Sequence, residues 1–172
     1  MDINPAIRFG KIEDLPAIVD IYNHAIRSGG CTGDLDEFKV QDRINWFEKF
    51  NSNNSPIYVI TVGNDIAGYG TLSPYRQGRK AMRNIAEISF FLDEKFQGKG
   101  LGSKLVDHII QDCRRLRKKT LLAVILDVNK KSIGILKKFG FEQWGYFPKV
   151  IELKDKTCGQ LIYGLKLDNS DQ

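Results

Sequence analysis

The sequence predicts an α/β (α+β) domain built on a mixed sheet, and three stretches carry that reading. Leu101, Leu105, Ile109, Cys113 and Leu116 recur at i, i+4, i+8, i+12 and i+15, the apolar stripe of a long helix. Leu121 to Val128 is a nearly all-apolar run, as suits a strand covered on both faces. Ile57–Val62 and Ile66–Leu72 flank Gly63-Asn64-Asp65, a tight turn between two strands.

The remaining elements follow in order. Ala6–Gly10 is a short strand. Ile12, Leu15, Ile18, Val19, Tyr22 and Ile26 repeat at helical spacing, with Asp14 and Pro16 suited to a first turn and Lys11 a poor cap. After the polar, glycine-rich Ser28–Asp34 segment, Val40–Phe50 reads as a second helix with Ile44 and Phe47 on its buried side, and Trp46 also reads as core. The Ile57–Leu72 meander continues through a basic loop, Tyr75–Arg83, into a third strand over Asn84–Leu92. A glycine loop then opens the long helix, and the apolar strand follows. Lys130–Phe139 is a short helix stopped by Gly140, and Phe141–Leu153 and Gly159–Leu167 are closing strands. Strand, two helices, three strands, helix, strand, helix, two strands is the order of a sheet carrying helices.

A chain of 172 residues is expected to form one domain, residues 1–172. At that size a chain buries roughly 70% of its unfolded surface and folds without a disulfide or metal staple. Cys31, Cys113 and Cys158 are odd in number and far apart, and no CxxC or Cys/His pairing appears. That argues against structural zinc and a disulfide scaffold. The net charge of +5 favours an anionic partner, a nucleotide-like cofactor as readily as nucleic acid. The densest basic run, Arg114–Lys119, reads as the solvated end of the long helix, where cations complement the dipole. No nucleic-acid recognition motif accompanies it, so no nucleic-acid partner is expected. Met1–Gly10 lacks the apolar run of a signal peptide, and no stretch reaches membrane-spanning length. A cytoplasmic protein with no membrane partner is expected.

The glycine loop, Gln97-Gly98-Lys99-Gly100-Leu101-Gly102, follows a strand and opens a helix. Such a loop is a general anion site, since backbone N–H groups come close and the helix end carries about half a positive charge. It is not a P-loop, because no Gly-Lys-Ser/Thr follows at the required spacing. It is not a dinucleotide fingerprint either, because Ser103 and Leu122 stand where a glycine and an acid are needed.

What the loop does resemble is the pyrophosphate loop of the GNAT N-acetyltransferases, Gln/Arg-x-x-Gly-x-Gly/Ala, matched by Gln97, Gly100 and Gly102. Asn129, Ser132 and Gly140-Phe141 match that family's later helix, and the element order resembles its fold from end to end. The resemblance implies the GNAT fold: a central mixed, mostly antiparallel sheet flanked by helices in a single domain. Stretches such as Asp14–Ile26, Arg43–Phe50, the Glu-x-Ser-x-Phe of Glu87–Phe91 and Gly140–Val150 resemble the phosphinothricin acetyltransferase-like branch. That branch implies an enzyme using acetyl-CoA as co-substrate, without metal, on a small amino-acid-like amine of the phosphinothricin, methionine sulfone or sulfoximine type. It also implies a homodimer.

By that resemblance Gln97, Gly98, Lys99, Gly100, Leu101, Gly102 and Ser103 would hold the cofactor, Asn129 and Ser132 would contact it, and Lys104 would add charge. Asn129 is equally a helix cap. Backbone N–H groups near Phe91 and Leu92 would suit the developing oxyanion. Glu87 is the candidate base: it shares a strand face with Ser89 and Phe91, and a carboxylate there is costly unless hydrated or paired. Arg76, Arg79 and Arg83 would hold a substrate carboxylate, an arginine fork being suited to one. The chain departs from the pattern in places. Leu136 replaces the family's tyrosine or the branch's histidine, leaving only Tyr146 or Tyr163 as side-chain acids for the leaving thiolate. Gly33 stands where an aromatic is common and Gln160 where a tryptophan is, so phosphinothricin itself is not the expected preference. The alternatives are a protein N-terminal or polyamine acetyltransferase, or a non-catalytic acyl-CoA-binding module.

Overall fold

Residues 4–167 are described by the structure, a computed structural model of the chain. In chain order the elements are β1 (Pro5–Phe9), α1 (Leu15–Ser28), α2 (Val40–Phe47), β2 (Ile57–Val62), β3 (Asp65–Pro74), β4 (Ile85–Leu92) and α3 (Leu101–Asp112). They are followed by β5 (Thr120–Leu126), α4 (Lys130–Lys138), β6 (Glu142–Glu152) and β7 (Thr157–Lys166). The strands form one sheet in the order β1-β2-β3-β4-β5-β7-β6. Every neighbouring pair is antiparallel except β4 and β5, which run parallel. The sheet is therefore mixed and mostly antiparallel, as expected.

Strand alternation splits the core into two layers. Tyr58 and Ile60 of β2 face the stripe of α3, Leu101, Leu105 and Ile109, together with Ile133 and Leu136 of α4. Ile57 and Val59, one residue out of phase, face Ile18 and Ile21 of α1 on the opposite side. The β2–β3 turn is two residues long, since Val62 pairs with Asp65. Gly63 takes φ 60°, the positive angle that a II′ turn requires at its first central residue.

Asp14 explains how α1 starts behind a poor cap. A one-turn 3₁₀ helix, Ile12–Asp14, precedes α1, and the Asp14 carboxylate accepts the Lys11 N–H at 2.7 Å. Arg8 of β1 donates to both of its oxygens, at 2.6 and 2.9 Å, fastening the strand to the helix. Burial works to raise this carboxyl, but Arg8 and the Lys11 amide outweigh it and hold the group below the usual range. A lowered folded pKa adds stability above the unfolded value, and that stability disappears as pH falls through the folded one. Asp14→Asn is therefore expected to cost about 1 kcal/mol at neutral pH, with Arg8 partly exposed. Thermal unfolding of the two proteins should converge only as pH falls below the folded pKa, itself below the ordinary ~3.9 of aspartate. A gap that persists there would remove the charge from the explanation.

Three readings are corrected. The second helix ends at Phe47, not Phe50, because its bonds tighten there to i→i+3, Lys49 N–H donating to Trp46 and Phe50 N–H to Phe47, before the Asn51 side chain closes a turn over Asn53 and Asn54. Ile44 is exposed, whereas Phe47 and Trp46 are half-buried against the α1-side core as expected, so Ile44 alone leaves the expected buried side. The basic run after α3 is not wholly solvated: Lys118 is 6% exposed, and its ammonium donates to the Arg83 carbonyl at 3.0 Å. α3 itself ends at Asp112, although Cys113 and Leu116 still pack into the core.

Candidate active site

The parallel pair at the centre of the sheet creates the site. β4 and β5 pair only over Ile85–Thr120, Ala86–Leu121 and Glu87–Leu122. Beyond Glu87, β4 stays bound to β3 out to Leu92, and β5 stays bound to β7 out to Leu126. Their facing edges are unpaired over that length, and the sheet is open between them. Because the strands are parallel, the helices that follow them, α3 and α4, both begin at the open end. Gln97 accepts a hydrogen bond from the Lys131 ammonium at 3.2 Å, linking the glycine loop to the first turn of α4. A Cβ on Gly102 would lie 3.0 Å from Ile135 of α4 and 3.3 Å from Leu92 of β4. The absence of a side chain at 102 lets α3 sit against both.

Gly98 and Gly100 differ from Gly102. They take φ 73° and 76°, and a Cβ on either would meet nothing within 4 Å. Their left-handed backbone bends the loop while leaving its outer side uncovered. Two helix N-termini, Lys99 and Lys131 make this end of the opening positive, which is the chemistry a diphosphate needs. Asn129 caps α4 by accepting the Ser132 N–H at 3.3 Å, so its helix-cap role is present in the structure.

On the α1 side of the sheet the opening widens into a cleft of about 400 Å³. Tyr69, Thr71 and Ser73 of β3 and Ser89 and Phe91 of β4 form its floor. Tyr22, Arg43 and Trp46 form a helical wall, and Thr32, Gly33 and Gln160 also line it. Val124 of β5 faces the cleft and is 37% exposed, so this strand is not covered on both faces as its composition implied. Glu87 lies just outside the cleft lining, on the same strand face as the floor, paired with the lining residue Ser73 and about 7 Å along the strand from Ser89. It is half-buried, and among the described residues no cation or hydrogen-bond donor engages its carboxylate. Burial alone pushes this carboxyl above its ordinary value.

Strand alternation distinguishes the two candidate oxyanion donors. Asp93 donates its N–H to Ala67 and Tyr75 donates to Ile85, so the odd-numbered residues of β4 direct their amides to β3. The register between β3 and β4 is unbroken. The Phe91 amide accordingly faces β3, and the Leu92 amide faces the opening. The basic-loop arginines lie outside the cleft lining: Arg76 stacks on Tyr75 and Arg83 donates to the Lys80 carbonyl. Leu136 is fully buried in the core, Tyr163 is nearly so, and Tyr146 donates to Asp127 at 3.3 Å. No tyrosine other than Tyr22 and Tyr69 lines the cleft. Among the described residues no group of three His, Cys, Asp or Glu is arranged to hold a metal, and no helix is long and apolar enough to cross a membrane.

Residues 16–141, most of the chain, match the model of the acetyltransferase (GNAT) family. The chain belongs to the GNAT acetyltransferase family. Within it, the chain is 33% identical over 94% of its length to YwnH of Bacillus subtilis, whose name ties it provisionally to phosphinothricin acetylation; 98% of that protein is covered. It is 30% identical to the L-methionine sulfoximine/L-methionine sulfone acetyltransferase of Pseudomonas aeruginosa, over 96% of each chain. An N-acetyltransferase structure from Staphylococcus aureus superposes with a TM-score of 0.90 at 32% identity, covering 96% of this chain and 99% of that one. The acetyltransferase YncA of Salmonella typhimurium, solved with acetyl-CoA, superposes at 0.89 and 27% identity, covering 98% and 96%.

Among the cleft-lining residues of this GNAT protein to which sequence reading gave no role, Arg43 is the charged one. Its signal was present in the helix: Arg43 and Trp46 are three apart and share a face. Trp46 was read as core, and its charged neighbour on that face was given no role.

Proposed function

We propose that this GNAT protein transfers the acetyl group of acetyl-CoA to the amine of a small amino-acid-like substrate, by direct attack within a ternary complex. The observation that carries the reading is a half-buried, unpartnered Glu87 on the floor face of a cleft that runs into the β4–β5 opening. Acetyl-CoA would enter with its diphosphate against Gln97–Ser103 and the first turn of α4, where Asn129 and Ser132 lie, and its thioester between the strands. The amine in the cleft loses its proton to Glu87, directly or through one water, and attacks the thioester carbonyl. The Leu92 amide, directed into the opening, would stabilise the oxyanion. The thiolate leaves without a side-chain acid at position 136, and solvent supplies its proton. Arg76, Arg79 and Arg83, on the loop after cleft-lining Ser73, would draw an anionic substrate inward.

A polyamine is disfavoured because, among the described residues, the cleft is lined by Arg43 and by no acid, with Glu87 alone beside its floor. The reading takes residues 1–172 as one cytoplasmic catalytic domain acting as a homodimer, with neither nucleic acid nor membrane as partner. Thiol release from acetyl-CoA across amino acids, peptides and polyamines tests it. Turnover is expected with methionine sulfone or sulfoximine. Acetyl-CoA binding with no amine-dependent thiol release would leave only a binding module.

A further inference from the structure

We propose that Arg43 holds the carboxylate of the acceptor amino acid, a role that rests on reading the cleft as an amine-acceptor site. Arg43 projects from α2 into the cleft wall, with its guanidinium carbon 3.9 Å from the Trp46 ring centroid, 4.9 Å from Phe38 and 5.2 Å from Tyr22. Stacking of this kind occupies the faces of a guanidinium and leaves its in-plane N–H groups to bond. Three rings also fix the side chain, so little rotamer freedom remains to be lost when a ligand binds.

The nearby acids are engaged elsewhere. Asp34 accepts from the Tyr22 hydroxyl, and Asp42 accepts the Lys39 N–H at 2.9 Å. Among the described residues no carboxylate forms an ion pair with Arg43, and no acid lines the cleft. A half-buried, immobilised guanidinium without a counter-ion, facing a cavity of amino-acid size, is built for an incoming carboxylate. The cleft is also lined by Gly33, where a Cβ would meet nothing within 4 Å, and by the polar Thr32 and Gln160. That end has room for a polar side chain. The class of acceptor is therefore an α-amino acid with a free carboxylate and a medium-sized polar side chain.

The experiment compares methionine sulfone with its carboxamide as acceptors, using the wild type, Arg43→Gln, Arg43→Lys and the triple variant Arg76→Gln/Arg79→Gln/Arg83→Gln. Acceptor KM and kcat are measured separately, with Tm and the KM for acetyl-CoA as checks on folding. A charge-assisted contact of about 1.5–3 kcal/mol corresponds to a roughly 10–100-fold preference for the acid over the amide. The wild type should show that preference, and the triple variant should keep most of it, losing only the part that long-range attraction by the loop adds. Arg43→Gln should lose it through KM, and Arg43→Lys should recover part of it. If Arg43→Gln retains the preference, the Arg43 assignment fails alone, and its loss in the triple variant would transfer the role to the loop. If the wild type acetylates no carboxylated amine, the Arg43 role and the acceptor reading fail together.

Discussion

Glu87→Gln is expected to lower kcat/KM for the amine by about 10²–10⁴-fold at neutral pH, the usual contribution of a positioned base. Glutamine keeps the shape and can hold a water, but it cannot accept the proton that a protonated amine must lose before it attacks. The pH profile distinguishes this from a packing role. With the carboxyl raised by burial, kcat/KM of the wild type should rise with pH through a pKa above the ordinary ~4.3 of glutamate. That limb should vanish in Glu87→Gln. Stability should move the opposite way to activity. A group whose folded pKa is raised contributes stability fully below its unfolded pKa, and that contribution is lost as pH rises through the folded one. The neutral isostere avoids the loss, so Glu87→Gln should unfold at a higher temperature than the wild type at pH 7 and at the same temperature near pH 3. A variant that is less stable at pH 7 would mean the carboxylate is held by a partner, and the desolvated-base reading would be wrong.

The parts of this protein that were legible in its sequence are those set by local pattern. The stripe from Leu101 to Leu116 identified α3 because five apolar positions in register admit one buried face, although only Leu101, Leu105 and Ile109 fall within the helix. Gly63-Asn64 marked the hairpin because the turn chemistry lies within the turn itself. Gln97, Gly100 and Gly102 marked the loop by spacing, although the difference between Gly100, where a Cβ would meet open space, and Gly102, where it would press on Ile135 and Leu92, required the tertiary structure. What was not legible depends on contacts distant in sequence. In the short α2, Ile44 and Trp46 compete for the core, and residues from α1 and β3 decide between them. Lys118 looked like one of several surface cations until the Arg83 carbonyl, thirty-five residues away, took its ammonium. The parting of β4 from β5 leaves no mark on either strand, because each still satisfies its outer neighbour. That parting places the site, and it appears only when both strands are in place.

The same glycine contrast supports a paired prediction. Gly100→Val and Gly102→Val are expected to damage the protein in different currencies. At Gly100 the backbone is left-handed, φ 76° and ψ 3°, and a β-branched residue there is strained by roughly 1–2 kcal/mol. Its side chain meets no protein atom and stands on the open side of the loop, where the diphosphate would lie. Acetyl-CoA should bind about tenfold more weakly or worse, while Tm falls by only a few degrees for a chain of this size. At Gly102 the helical backbone accepts any residue, but the added carbons press on Ile135 and Leu92 at 3.0 and 3.3 Å. Overpacking of that kind costs about 1–3 kcal/mol, and it forces α3 away from α4 and β4. Its main effect should be a lower Tm, with weaker binding following from the displaced helix. Calorimetric titration with acetyl-CoA alongside thermal unfolding separates the two. Wild-type affinity in Gly100→Val would take the loop out of the cofactor site, because no packing contact explains a glycine at that position.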